Sequence, residues 1–91
     1  MSRDILGAIR DGMGAFSKGQ RRIGQYILDN YDKAAFMTAA KLGQTVNISE
    51  STVVRFAAEL GYDGYPSMQR ALQEMIRSKL TSVQRIEVSN D

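Results

Sequence analysis

The sequence predicts an all-α fold, a bundle of five helices. Apolar residues recur at the three- and four-residue spacing of amphipathic helices in five segments, whereas no segment shows the sustained alternation of a half-buried strand. Residues that favour helix termini stand at the ends of these segments. Because the chain has 91 residues, we expect a single compact domain with a modest core.

Each predicted helix has an apolar stripe that would face the core. No internal repeat or low-complexity segment interrupts the series. In chain order the stripes are Ile5, Ile9 and Met13; Ile23, Ile27, Leu28 and Tyr31; Ala39, Leu42, Gly43 and Val46; Val53, Phe56, Ala57 and Leu60; and Met68, Leu72, Met75, Ile76 and Leu80.

Helix-terminating residues agree with these stripes. Ser17, Thr38 and Ser49 are each placed to cap a helix, because a hydroxyl oxygen accepts a hydrogen bond from an unpaired backbone N–H. Gly61 follows the fourth helix where a left-handed terminus favours glycine. Pro66 fits the first turn of the fifth helix, where its missing N–H removes no hydrogen bond.

The pattern weakens after about residue 81, in TSVQRIEVSND. We therefore predict a domain over residues 1–80. Residues 81–91 are predicted to form a frayed helix end or a linker.

Composition argues against several classes of function. The chain contains neither cysteine nor histidine, which excludes disulfides and thiolate metal sites and removes the commonest nucleophile and general base. We predict no catalytic residue, no metal site, no cofactor and no enzymatic activity. No apolar run is long enough to span a membrane, and charges inside the N-terminal apolar pattern argue against a signal peptide. The expected location is the cytoplasm.

The third and fourth helices have the layout of a helix-turn-helix. Only Val46, Asn47 and Ile48 separate them. Gly43 supplies the small residue needed where two helices cross closely, and Asn47 tolerates the positive φ that such a turn requires. The core around this motif is expected to be right-handed, of the homeodomain-like or winged-helix-related type.

The fourth helix, at about residues 49–60, has an outer face suited to the DNA major groove. Its N-terminal backbone N–H groups and hydroxyls favour a phosphate group. Arg55 can reach guanine O6 and N7, and Glu50 can accept from a cytosine amino group. The predicted DNA-binding residues are Ser49, Glu50, Ser51, Thr52, Arg55, Thr38, Lys18 and Arg22.

A structural explanation exists beside each of these roles. Ser49 is a helix cap with or without DNA, and Arg55 can instead pair with Glu59 in the next turn. Ser51 and Thr52 can simply be solvated, and the basic segment SKGQRR can be a solvated helix face. For the tyrosines at residues 62 and 65, core packing of at least one ring is favoured over a phosphate contact.

From Phe16 to about Leu80 the sequence resembles the N-terminal domain of the RpiR family of bacterial transcriptional regulators. The most specific segment is SESTVVRFAAELGYDGYPSMQRAL, in which a recognition helix precedes L-G-aromatic-x-G-aromatic and a further helix. Ser17 to Asn30 add the pattern S-x-x-[QE]-x-x-I-x-x-[YF]-I-L-x-N.

This resemblance implies a sequence-specific DNA-binding domain of a regulator of sugar or phosphosugar metabolism. Family members carry a second, sugar isomerase (SIS) domain that senses phosphosugars, and this chain stops where that domain would begin. The chain would thus be either a piece of a longer protein or a naturally short one. The resemblance also implies a homodimer on a palindromic operator in double-stranded DNA, with the first and last helices as candidates for self-association.

Two other functions are compatible with the residues. One is a helical dimerisation or protein-interaction module that does not bind DNA. The other is a fragment of an enzyme, such as a helical cap of a sugar-phosphate isomerase.

Overall fold

Five α-helices make up the described part of the chain. The computed structural model describes residues 4–89, with side chains for residues 4–78. The helices are α1 (Ile5–Gly12), α2 (Lys18–Ala34), α3 (Ala39–Val46), α4 (Glu50–Glu59) and α5 (Tyr65–Ser89). Residues 4–89 contain no strand, which confirms the all-α prediction. No helix in this range is both long enough and apolar enough to cross a membrane.

The predicted helix caps are confirmed. The hydroxyls of Ser17, Thr38 and Ser49 each accept a hydrogen bond from the backbone N–H three residues on, at 3.1–3.3 Å. Asp4 caps α1 in the same way, by accepting from the Gly7 N–H at 2.8 Å. Since these bonds are local, the short-range sequence determines where the first four helices begin.

The predicted apolar stripes form one core. The stripe residue Leu80 lies outside the described side chains. All other stripe residues are buried or partly buried in the same cluster. The rings of Phe16 and Phe56 pack in a tilted arrangement, with centroids 5.2 Å apart. Phe16 thus packs the α1–α2 connection against α4. The sequence did not predict this contact, because Phe16 belongs to none of the apolar stripes.

The α3–α4 pair forms the most extensive interhelical contact, and α2 packs against both helices. The α3–α4 pair is the helix-turn-helix, and α2 completes a three-helix unit with it. The fifth helix packs on α1, α2 and α4 and thereby stabilises their arrangement.

The fifth helix also holds the α2–α3 connection. The Tyr65 hydroxyl and the Gln69 amide donate to the Met37 carbonyl at 2.6 and 3.1 Å. One turn further on, the Gln73 amide donates to the Ala35 carbonyl at 2.9 Å. These bonds satisfy backbone acceptors at the end of α2, where no helical N–H is available.

For the end of α5, the sequence left two possibilities after about residue 81, a frayed helix end or a linker. The helix continues past residue 81 to Ser89, so residues 81–89 are not irregular in the structure. Residues 67–91 contain neither glycine nor proline, the two residues that most disfavour a helix interior, so the composition does not end the helix before Ser89. The division into a domain over residues 1–80 and a linker over residues 81–91 stays a prediction.

Candidate nucleic-acid interface

The turn between α3 and α4 has the predicted geometry. Asn47 adopts the left-handed conformation, with φ 62° and ψ 46°. The Ile48 N–H then donates to the Gly43 carbonyl at 2.8 Å. A Cβ atom at Gly43 would lie 2.5 Å from the Ile48 carbonyl oxygen, so a larger residue does not fit without backbone movement. The two helices are therefore fixed by close backbone contact.

Three hydroxyls cluster at the N-terminus of α4. The Ser49 Oγ lies 2.8 Å from the Thr52 Oγ1 and 3.3 Å from the Ser51 Oγ. It also accepts from the Thr52 N–H at 3.3 Å. Ser51 and Thr52 therefore share a hydrogen-bonded cluster with Ser49 at a helix end that favours anions, and their contact with DNA stays a prediction.

The outer face of α4 is exposed as predicted. Glu50, Ser51, Val54, Arg55 and Ala58 are exposed, while the inward residues of the same helix are buried. Glu50 lines a shallow groove of about 430 Å³ between α3 and α4.

The Arg55 guanidinium is accessible on this face. Among the described residues no salt bridge joins it to Glu59, so the ion pair offered as its structural explanation is not formed. Arg55 is therefore positioned to reach a ligand beyond the outer face.

The N-terminus of α2 lies beside the start of α4. A Cβ atom at Gly19 would contact the Ile48 and Thr52 side chains at 3.4 and 3.9 Å, so the first turn of α2, which includes Lys18, packs near the start of α4. Arg22 lines a second open groove together with Asn47, at the turn of the motif. Lys18 and Arg22 are both exposed and, four residues apart, lie on one face of α2.

Arg21, between them, has a structural role. Its Nε donates to the Met13 carbonyl at 3.1 Å and thereby braces the α1–α2 connection. Within the basic segment, Arg21 therefore stabilises the fold, whereas the Lys18 and Arg22 side chains are exposed to solvent.

Thr38 lies apart from the other predicted site residues. It caps the start of α3, while the hydroxyl cluster of α4 follows the end of that helix. Eight helical residues rise about 12 Å, so one phosphate group cannot contact both ends. A contact from Thr38 would have to reach a different phosphate of the same duplex.

The two tyrosines after α4 belong to the core side of the molecule. Tyr65 is buried, and burial raises the pKa of its hydroxyl to about 12. Burial and then the Asp4 carboxylate raise the pKa of Tyr62, which is partly buried. The expectation that at least one ring packs in the core is confirmed.

A family model for the helix-turn-helix domain of the rpiR family matches residues 3–79. The chain belongs to the rpiR family. Family membership makes it a DNA-binding helix-turn-helix domain of the kind found in transcriptional regulators. The rpiR resemblance read from the sequence is confirmed.

Individual relatives agree with this assignment. The chain is 28% identical over 89 residues to the HTH-type transcriptional regulator HexR of Pseudomonas aeruginosa, covering 98% of this chain and 31% of HexR. It is 31% identical over 71 residues to the uncharacterized HTH-type transcriptional regulator YfhH of Escherichia coli, covering 78% of this chain and 25% of YfhH.

A solved structure shares the fold. The Vibrio vulnificus NanR protein, complexed with ManNAc-6P, matches with a TM-score of 0.79 and 31% sequence identity, over 96% of this chain and 33% of NanR. The chain thus spans about a third or less of the length of these relatives. HexR and YfhH are HTH-type transcriptional regulators by name, which counts against the enzyme-fragment hypothesis.

Two contributors to this region were missed by sequence reasoning. Gln20 completes the cap of α2, since its side chain accepts from the Ser17 N–H at 2.9 Å. The S-x-x-Q spacing of a capping box was the signal for it. Gly19 permits the close approach of α2 to α4, and no local pattern marks that long-range contact.

Proposed function

We propose that this domain binds double-stranded DNA sequence-specifically by placing α4 in the major groove. The observation that carries the proposal is the exposed N-terminal half of α4, on which a hydroxyl cluster and Arg55 stand together on a rigid helix-turn-helix. The domain works in the cytoplasm, where bacterial DNA is accessible.

Each exposed residue has a role that follows from its chemistry. Ser49, Ser51 and Thr52, together with the free N–H groups of the helix end, hold a phosphate. Arg55 donates two hydrogen bonds to guanine O6 and N7, and Glu50 accepts from a cytosine amino group.

The remaining contacts position the domain on the duplex. Lys18 and Arg22 neutralise phosphates beside the start of α4, and Thr38 reaches a phosphate at the other end of α3. These contacts set affinity and register, whereas Arg55 and Glu50 set sequence preference.

We further propose that the domain acts within a homodimer on a palindromic operator, because two-fold symmetric helix-turn-helix proteins read two half-sites. Relatives about three times as long as this chain support a second, SIS-type domain after a linker at residues 81–91. The ManNAc-6P bound to NanR supports a phosphorylated sugar as the effector of that second domain, and sugar metabolism as the regulated process.

The test is selection of binding sites from a random duplex DNA pool at two salt concentrations, followed by affinity measurement on the enriched site. Arg55→Ala should weaken binding to that site by about 1–3 kcal/mol, because it removes a bidentate base contact, and should relax the preference at one base pair. Arg70→Ala on α5 is the matched control. Arg70 is also exposed, so this variant removes the same charge from another helix and should bind as the wild type does.

The result separates the competing functions. Equal affinity of Arg55→Ala and wild type for the enriched site would reject α4 as the reading helix. Absence of binding at both salt concentrations would instead favour the protein-interaction module.

A further inference from the structure

The outer face of α4 carries an exposed apolar residue, Val54. Ser51, Val54, Arg55 and Ala58 follow the i, i+3, i+4, i+7 spacing of one helical face, and all four are exposed. The adjacent Val53 is fully buried and makes the core contacts of this turn.

Val54 is unusual for an exposed helix position. Among the described side chains, it and Phe36 are the large hydrophobic residues that remain exposed, at 43% and 72%. A β-branched side chain loses rotamer freedom in a helix, so valine at a solvated position is less favourable than alanine. Val54 is therefore unfavourable for the isolated helix, and 43% of its surface remains available to a ligand of this face.

From this we infer that Val54 is a specificity-determining residue that contacts the 5-methyl group of a thymine. The inference rests on the proposed function, since it requires α4 to lie in the major groove. In that groove thymine is the base that presents a methyl group, and small apolar side chains recognise it by van der Waals contact and exclusion of water.

The neighbours of Val54 fit this role. Ser51 and Ala58 are small, so they let base edges approach the helix closely enough for the short valine side chain to touch them. Arg55 is the next residue along the chain and extends much further. The thymine should therefore lie next to the guanine contacted by Arg55, and the two residues together would read a short guanine- and thymine-containing step.

The experiment uses the 91-residue chain and the site enriched from the random pool. Each thymine of the half-site is replaced singly by deoxyuridine, which removes the methyl group and keeps the base-pairing edge. Dissociation constants are measured for wild type, Val54→Ala and, as the matched control, Phe36→Ala. Phe36 is the other exposed large hydrophobic residue and lies between α2 and α3. Thermal unfolding of each variant checks the fold.

For the wild type, one deoxyuridine position should weaken binding by about 3- to 10-fold, as expected for one or two buried methyl groups. Val54→Ala should bind the thymine site correspondingly more weakly and lose that deoxyuridine penalty, while its Tm stays the same or rises. Phe36→Ala should keep the full penalty. The coupling between residue and methyl group, rather than either single loss, supports the contact.

Three results would overturn the inference. They are a half-site without a fixed thymine, a wild type indifferent to every deoxyuridine replacement, and an unchanged penalty in Val54→Ala. In each of these cases sequence-specific binding persists, so the proposed function stands. A pool that yields no enriched site would reject the proposed function itself, and the inference with it.

Discussion

At the scale of single residues, Gly43 and Asn47 decide how closely α3 and α4 approach. Asn47 reverses the chain direction with a positive φ of 62°, a conformation that asparagine tolerates better than most residues. This reversal places the Ile48 carbonyl directly over Gly43. A glycine at position 43 is therefore required by the turn that follows it, and the orientation of the α4 outer face depends on both residues.

Replacing Gly43 by alanine should destabilise the domain by about 1–3 kcal/mol, because the new methyl group would lie 2.5 Å from a backbone oxygen that cannot rotate away. Urea unfolding measures the loss. Gly14→Ala is the matched control: a Cβ atom there meets nothing within 4 Å, and stability should be unchanged or higher by up to about 1 kcal/mol. Equal stability of Gly43→Ala and wild type would contradict the close crossing.

At the scale of elements, α5 acts as a brace for the entry to the helix-turn-helix. Tyr65, Gln69 and Gln73 are spaced four residues apart, so they lie on one face of α5 and in successive turns. All three donate to carbonyls of the α2–α3 connection. This connection leads directly to Thr38, the cap of α3, so the brace helps to set where α3 begins.

The Tyr65 hydroxyl gives this brace a pH dependence. Burial raises its pKa from 10.0 to about 12 in the folded state, so the folded protein retains a proton that the unfolded chain loses near pH 10. The contribution of the protonated Tyr65 hydroxyl to the free energy of unfolding is complete below pH 10 and is lost as the pH rises toward 12. Tyr65→Phe should therefore be less stable than wild type by about 0.5–1.5 kcal/mol at pH 7 and should lose stability less steeply between pH 10 and 12.

Urea unfolding of both proteins at several pH values between 7 and 12 tests this expectation. Tyr26→Phe removes a hydroxyl from α2 in the groove that this helix forms with residues 45–47, and this variant should lose stability as steeply as the wild type. If the free energies of unfolding of wild type and Tyr65→Phe fell in parallel with rising pH, the Tyr65 hydroxyl would not contribute to the pH dependence.

The elements differ in how well the sequence predicts them. The caps at Ser17, Thr38 and Ser49 and the left-handed Asn47 were predictable, since each depends on residues at most a few positions away. The brace was not, because its donors and acceptors are 28–38 residues apart. For residues 81–91 the sequence left a frayed helix end and a linker as alternatives, and the structure continues α5 to Ser89.

At the scale of the whole molecule, the distribution of charge matters more than its total. The chain carries a formal charge of +2, but residues 1–45 contain seven Lys or Arg and four Asp. Lys18 belongs to the first turn of α2, which packs near the start of α4, and Arg22 lines a groove with Asn47 at the turn of the motif. The sequence predicted Lys18 and Arg22 as site residues without Arg21, but it gave no sign of the structural contact in which the Arg21 Nε donates to the Met13 carbonyl.

Lys18→Ala and Arg22→Ala should each weaken binding to all DNA sequences by a similar factor, because phosphate contacts carry no base information. Each should also reduce the slope of log affinity against log salt concentration by about 1. Titrations at four salt concentrations, on the enriched site and on a scrambled duplex, provide the measurement. Arg10→Ala, in the last turn of α1, should leave the slope unchanged. A slope unaltered in both test variants would remove Lys18 and Arg22 from the interface.

The four-residue spacing of the α5 brace also restricts insertions and deletions in this helix. One residue inserted between Gln69 and Gln73 would turn all that follows by about 100° and carry Gln73 away from the Ala35 carbonyl. Four inserted residues would nearly restore the rotation but would shift Gln73 along the axis by about 6 Å. The segment from Tyr65 to Gln73 therefore has a fixed length, and descendants of this sequence can substitute residues there far more freely than they can gain or lose them.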